Sequence, residues 1–207
     1  VCSQLAFVEQ PDPKGGEDDW WETPRSAIDP ILPILCDILG GRAQHIVIDP
    51  GCGTGNITEA AATTLNPLAL IGIEINPGRA AAAQRRLGNT AEIICTDFVN
   101  DRAFSASGPV LVFGNPPYSK PSKTIGLEFM VRSLELAQPN GVVALLLPLD
   151  FATGVDRCEL VHERFGASAL YPLKRRPSFG NGTTGQRPVG WFVWDFLCPH
   201  SEWRTIG

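Results

Sequence analysis

The stretch His45-Ile46-Val47-Ile48-Asp49-Pro50-Gly51-Cys52-Gly53-Thr54-Gly55-Asn56 decides how the rest of the chain is read. Its opening residues, His45–Ile48, form a short apolar run rich in β-branched side chains. The run is too short for a helix and predicts a buried strand. Glycines at every second position, Gly51, Gly53 and Gly55, let the backbone turn sharply and approach a ligand without interference from a Cβ atom. Asn56-Ile57-Thr58-Glu59 then predicts a helix start of the capping-box type.

Outward from this strand–turn–helix unit the same alternation continues. Ala69–Ile75 predicts a second buried strand, and Asn76-Pro77 caps a helix that Gly88 ends. Ala91–Cys95 and Val110–Gly114 predict two more strands. A helix from about Thr124 to Ala137 places Leu127, Met130, Val131 and Leu134 on one face, and Pro139-Asn140-Gly141 stops it. Val142–Leu147 is the most hydrophobic strand; a helix near Val155–Phe165 and strands over Ala167–Leu173 and Val189–Phe196 follow. Towards the N-terminus, Thr23-Pro24 predicts a helix with Thr as cap and Pro at the first helical position. Pro30 and Pro33 break or reset that helix before Leu39-Gly40-Gly41 closes it. Near-continuous apolar strands alternating with helices imply a parallel sheet covered on both faces. In such sheets ligands bind beyond the carboxyl ends of the strands, where the strand order reverses.

A chain of 207 residues, 43% hydrophobic and 19% charged, is the size of one globular domain. Residues 1–19, rich in Pro, Gly and acid, read as a flexible arm, and 20–207 as a single catalytic domain. No apolar run approaches the ~20 residues of a membrane span. Val1-Cys2-Ser3-Gln4 lacks the features of a signal peptide, so a soluble, cytoplasmic protein is expected. The six cysteines contain no CxxC pair, and His45, His162 and His200 have no finger-type spacing, so no metal is expected. Cys52, Cys95 and Cys198, in or beside strands, read as small buried hydrophobes. The net charge of −5 runs against a broadly basic, nucleic-acid-binding surface, but Lys174, Arg175, Arg176 and Arg187 form a local basic patch.

The chemistry-bearing residues all follow strands. The glycine spacing is GxGxG, not the GxGxxG that sets a pyrophosphate at a helix start. Asp49 beside it would repel a pyrophosphate but suits a ligand bearing an ammonium and a sulfonium. Glu74, about twenty residues past the glycines, stands where an acid accepts from both ribose hydroxyls of a nucleoside. Asp97-Phe98 combines an acceptor with an aromatic face, which suits an adenine. After the fourth strand comes Gly114-Asn115-Pro116-Pro117-Tyr118. Its two prolines stiffen the turn and remove amide donors. The Asn115 side-chain oxygen and the Pro116 carbonyl would then present two acceptors to an NH₂ group, with Tyr118 offering a π-face to a planar base or amide.

In this order and spacing, Asp49–Asn56, Glu74, Asp97-Phe98 and Asn115–Tyr118 resemble class I methyltransferases that act on amino groups. Among these the chain is most similar to compact phage- and prophage-type N6-adenine DNA methyltransferases. Trp20-Trp21-Glu22-Thr23-Pro24 resembles their N-terminal cofactor motif, and Arg175–Gly180 with Trp191–Asp195 resembles their C-terminal half. The resemblance implies an α/β, Rossmann-like class I methyltransferase fold: a mostly parallel seven-stranded sheet with its last strand antiparallel and helices on both faces. It implies S-adenosylmethionine as cofactor, held by Trp21, Thr23, Pro24, Asp49, Gly51, Gly53, Gly55, Asn56, Glu74, Ile75, Asp97, Phe98 and Asn115. Catalysis falls to Asn115, Pro116, Pro117 and Tyr118. The substrate side falls to Tyr118, Lys120, Lys174, Arg175, Arg176 and Phe179, the last as a second aromatic against the target base. The implied acceptor is N6 of adenine in DNA. No separate target-recognition domain is expected within these 207 residues, which leaves loose specificity, a partner specificity subunit or structured RNA open. Ribosomal RNA bases, a protein glutamine and an inactive partner subunit of the same fold are the alternatives.

Overall fold

The computed structural model describes residues 22–40, 45–105, 108–118, 122, 124–153, 161, 164–179, 187–198 and 202–207. The acidic arm 1–19, Trp21, Lys120 and most of the expected helix near Val155–Phe165 lie outside these residues.

Two short helices come first, α1 (Arg25–Ile28) and α2 (Leu32–Leu39). Then β1 (Ile46–Pro50), α3 (Asn56–Thr64), β2 (Ala69–Glu74), α4 (Pro77–Leu87) and β3 (Glu92–Cys95) alternate. They are followed by β4 (Val110–Gly114), α5 (Ile125–Ala137), β5 (Val142–Pro148), β6 (Ala169–Pro172), β7 (Val189–Asp195) and β8 (Glu202–Trp203). The eight strands form one sheet in the order β3-β2-β1-β4-β5-β7-β6-β8. Strand order reverses between β1 and β4, which pair in parallel from Ile46↔Val110 to Ile48↔Val112.

Of the eight strands β7 alone runs against the others, pairing antiparallel with β5 on one side and β6 on the other. The strand expected over Val189–Phe196 is the antiparallel one, and among the described residues the sheet has one strand more than expected, added after it. Beyond β7, Glu202–Trp203 adds a two-residue parallel strand along β6. So short a segment carries no periodicity of its own; its strand character comes from β6's free edge.

Residues alternate between the two faces, and both faces are buried. Val47, Leu111, Phe113, Ala144 and Trp191 pack with α1–α3 in one core cluster. Ile48, Val112, Val143, Phe192 and Trp194 pack with Met130 and Leu134 of α5 in the other. A period-2 strand with apolar residues on both sides reads as a continuous apolar run, which is what the sequence shows. Met130 and Leu134 are fully buried, and each such side chain contributes roughly 1.5–3 kcal/mol. The Trp191 indole N–H donates to the Ala27 carbonyl at 2.8 Å, tying α1 to the sheet.

Local details depart from the expectations at three places. Thr23 does not cap α1: Pro24, with extended backbone, occupies the cap position and no side chain caps the helix. The capping box at Asn56–Glu59 does not form. Gly55 is the cap in a left-handed conformation, Asn56 is already helical, and Glu59 is paired with Arg86 at 2.6 Å. Cys52 is buried, but Cys95 and Cys198 are exposed, because β3 is the sheet's edge and Cys198 lies past the end of β7. Asn76 does cap α4, accepting from the Gly78 and Arg79 amides.

Gly55 has φ +93°, and a Cβ there would stand 3.0 Å from Leu87 Cδ1 of α4. Gly55→Ala combines a disfavoured backbone with a clash against a packed leucine. We expect it to lower stability by about 1–3 kcal/mol, measured as a lower urea midpoint at unchanged slope.

Candidate active site

The carboxyl ends of β1, β2, β3 and β4 lie on one side of the sheet, because these strands are parallel. The turns that follow them enclose a cavity of about 510 Å³. Asp49, Gly51 and Asn56 from the glycine turn, Glu74 and Ile75 after β2, and Asp97 and Phe98 after β3 all line it. Asn115, Pro116, Pro117 and Tyr118 after β4 line the same cavity, as do Thr23 and Phe179. Gly53 and Gly55 shape the turn from behind, and Pro24 is not among the lining residues. Lys174, Arg175 and Arg176 are exposed, just past the carboxyl end of β6, and do not line the cavity. Part of the basic loop, 180–186, lies outside the described residues.

The glycine turn is built by hydrogen bonds onto the neighbouring strand. The Gly51 and Cys52 amides donate to the Ile73 carbonyl at 2.7 and 2.9 Å, and the Gly53 amide donates to Glu74 Oε2 at 2.9 Å. Gly51, Gly53 and Gly55 all have positive φ, the conformation that permits this curl.

Asp49 is 1% exposed. Its Oδ2 accepts from Thr58 Oγ1 at 2.6 Å, whereas its Oδ1 is buried with no hydrogen-bond partner among the described residues. Burial pushes its carboxyl up to about 7; the Thr58 hydrogen bonds oppose this and the negative Glu74 adds to it. The Cys52 thiol is pushed far upward, by burial first and by Asp49 and Glu74 next, so it is no nucleophile.

Glu74, 3% exposed, is held more tightly than its sequence position suggested. Oε1 accepts from the Asn76 amide at 2.8 Å and from Arg79 Nε at 3.0 Å, with Arg79 Nη2 at 2.9 Å. The remaining acceptor capacity toward a ligand is on Oε2. Asp97 likewise uses Oδ1 for the Val99 and Asn100 amides and Oδ2 for Asn100 Nδ2, stabilising the turn after β3. The apolar part of the wall comes from Ile75, 61% exposed, and from Phe98, whose ring lies 5.4 Å from that of Phe129.

At the other end of the cavity, Asn115 Nδ2 donates to Thr23 Oγ1 at 2.9 Å, and Asn115 Oδ1 accepts from the Tyr118 hydroxyl at 2.6 Å. Tyr118 is half-buried, packed against the α5-side core and lining the cavity. The acceptor oxygen is thus already turned toward the aromatic ring.

Sequence reasoning missed Glu22, Arg79, Glu128 and Phe129, which also line the cavity. Arg79 carried a weak signal, five residues past Glu74 in the first turn of α4. Phe129 carried none, since a phenylalanine on an amphipathic helix reads as core. With Asp49, Glu74, Asp97, Glu22 and Glu128 against Arg79, the wall is acidic overall and favours a cationic ligand.

No protein-family model matches the chain. It is 30% identical over 137 residues to the type II methyltransferase M.CvrRI of Paramecium bursaria Chlorella virus XZ-6E. That alignment takes in 58% of this chain but 34% of the relative, so the chain spans about a third of the viral protein's length. Among solved structures, a Listeria monocytogenes protein assigned to the class I S-adenosylmethionine-dependent methyltransferases superposes with a TM-score of 0.72 at 13% identity. That match covers 88% of this chain and 65% of that one. A Pyrococcus horikoshii protein assigned as an RNA methyltransferase gives a TM-score of 0.70 at 18% identity, covering 94% of both chains.

Proposed function

We propose that this chain, which has the class I S-adenosylmethionine-dependent methyltransferase fold, transfers a methyl group to the exocyclic N6 amino group of adenine in DNA. The observation that carries the reading is the meeting of the carboxylate-flanked glycine turn and the Asn115–Tyr118 corner in one cavity. The similarity to a viral type II methyltransferase favours DNA over RNA.

The residues present fit the cofactor. Asp49 lines the cavity with other acids, and its Oδ1 is a buried acceptor with no hydrogen-bond partner among the described residues, which suits an ammonium beside a sulfonium. Glu74 Oε2 suits the ribose, while Asp97 with Ile75 and Phe98 suits the adenine. When bound, S-adenosylmethionine supplies an electrophilic methyl group carried on a sulfonium. The chain's own task is to present a nitrogen to it.

An aromatic amine is a weak nucleophile because its lone pair is delocalised into the ring. Asn115 Oδ1 and the Pro116 carbonyl accept from the two N–H groups and favour a pyramidal nitrogen with its lone pair exposed. Fixed geometry supplies most of the remaining acceleration. No general base is required, since the proton leaves after transfer. In duplex DNA the base is flipped out, and Tyr118 with Phe179 replaces its lost stacking at roughly 1–3 kcal/mol per base. As the amine enters, the Tyr118 hydroxyl releases Asn115 Oδ1. Lys174, Arg175 and Arg176, exposed just past the carboxyl end of β6 and outside the cavity lining, serve the phosphates, as does Lys120 in this reading.

The test is transfer of labelled methyl from S-adenosylmethionine to DNA, RNA and protein pools, followed by mass spectrometry of nucleosides and peptides. Label in N6-methyladenine of DNA is the expected result. Label confined to RNA or to glutamine would move the activity to that acceptor. No label and no thermal stabilisation by the cofactor, where about 2.7 kcal/mol is expected at 100 times its dissociation constant, would leave a non-enzymatic partner subunit.

A further inference from the structure

The Asn115 carboxamide is gripped from two sides by hydroxyls from distant parts of the chain. Thr23, 92 residues earlier, accepts from Nδ2 at 2.9 Å, and Tyr118 donates to Oδ1 at 2.6 Å. A hydroxyl both donates and accepts, so two hydroxyls alone would tolerate either flip of the amide. The Tyr118 contact favours one flip: 2.6 Å lies within the O–H···O range and below that of N–H···O, whereas the 2.9 Å at Thr23 suits an N–H···O bond without deciding between them.

The Thr23 side of this grip is firmly built. Thr23 is 6% exposed, and its carbonyl accepts from Asn56 Nδ2 at 3.0 Å. Its neighbour Glu22 accepts from Thr54 Oγ1 at 3.0 Å. Arg86 completes the attachment by donating to Asn56 Oδ1 and by pairing with Glu59 at 2.6 Å and Glu22 at 3.7 Å. The segment carrying Thr23 is therefore fastened to the glycine turn and the start of α3. The hydroxyl that meets Asn115 has a fixed address.

We infer that Thr23 is a positioning residue: its oxygen holds Asn115 Nδ2 so that Oδ1, and not the amide NH₂, faces the amino group of the substrate. The inference rests on the amino-methyltransferase reading above. With the amide reversed, two NH₂ groups would confront each other, and the nitrogen would lose one of its two acceptors. Thr23 thus acts through Asn115, in addition to any contact its own hydroxyl proton makes in the cavity.

Thr23→Val keeps the shape and removes the acceptor. At saturating cofactor and substrate, kcat is expected to fall by roughly tenfold to a hundredfold. Because kcat is read at saturating cofactor, it is separate from any rise in the S-adenosylhomocysteine dissociation constant that follows from Thr23's own place in the cofactor wall, and Thr23→Ser should restore most of kcat. The second readout needs no turnover. In ¹⁵N-labelled protein the Asn115 side-chain amide pair, identified by its loss in Asn115→Asp, should show one protected Nδ2 proton that T23V exposes to exchange. If T23V folds poorly, Thr23→Ala serves for the same two measurements. An unchanged kcat with an unchanged amide pair, or a loss confined to cofactor affinity, would overturn the inference. Should the wild-type protein methylate no amino group, the function reading fails, and the amide signals still decide whether Thr23 holds Asn115.

Discussion

In Asn115→Ala, methyl transfer is expected to fall by at least about 10²–10³-fold, the usual consequence of deleting one preorganised polar partner of a transition state. Cofactor affinity should change little. The variant deletes the side-chain acceptor for the amine and leaves the Pro116 carbonyl alone. Asp49, Glu74 and Asp97, which this reading assigns to the cofactor, are held by Thr58, by Gly53 with Arg79, and by Asn100, none of which depends on Asn115. Single-turnover transfer beside calorimetric titration of S-adenosylhomocysteine measures both quantities. A folded variant that no longer binds the cofactor would reverse the division of labour between the two ends of the cavity. Tyr118 provides the internal comparison. Tyr118→Phe keeps the ring and removes the hydroxyl that occupies Asn115 Oδ1, so transfer should survive. Tyr118→Ala removes the ring and should weaken substrate binding by roughly 1–3 kcal/mol.

Asp49→Asn should separate folding from binding with opposite signs. The carboxyl is raised from its ordinary value to about 7, chiefly by burial. A raised acid contributes stability that is fully present below its unfolded pKa near 3.8 and is lost as pH rises through about 7. The loss is on the order of 4 kcal/mol, at 1.36 kcal/mol per unit. Wild-type protein should therefore be less stable above neutrality than in mild acid on account of this group, and the asparagine variant should flatten that slope. Binding runs the other way. A cationic ligand prefers the carboxylate, so cofactor affinity should climb with pH up to about 7 and then level off. In Asp49→Asn that rise should vanish, and affinity above neutrality should drop by about 1.5–3 kcal/mol, the usual value of a hydrogen bond to a charged group. Urea melts and titration calorimetry across the pH range provide the check. A variant that binds cofactor as tightly as wild type, with the pH dependence intact, would remove Asp49 from the cofactor's site.

The basis of these expectations was unevenly legible. The run Val110–Gly114 reads as a buried strand and is one, with the same bounds, because burial on both faces leaves no polar residue to break the apolar run. Asn76-Pro77 reads as a helix cap and is one, since that signal needs only two neighbouring amides. Where local chemistry and packing competed, packing won. Asn56 and Glu59 have the spacing of a capping box, yet the left-handed Gly55 takes the cap, and their side chains are drawn to Thr23 and Arg86. Thr23 has the chemistry of a cap, yet its oxygen serves Asn115.

What the sequence determined by itself was the alternation of buried strands and helices, and with it the side of the sheet on which Asp49, Glu74, Asp97 and Asn115 emerge. Apolar period, glycine turns and proline breaks act within a few residues, so they are written in consecutive letters. Only the tertiary structure decided which hydrogen-bonding group meets which: Arg79 on Glu74, Thr23 and Tyr118 on either side of Asn115, Phe129 against Phe98, and a two-residue strand on the edge of β6. A polar side chain takes its partner from whatever folding brings within about 3 Å. For Thr23 that partner stands ninety-two residues away.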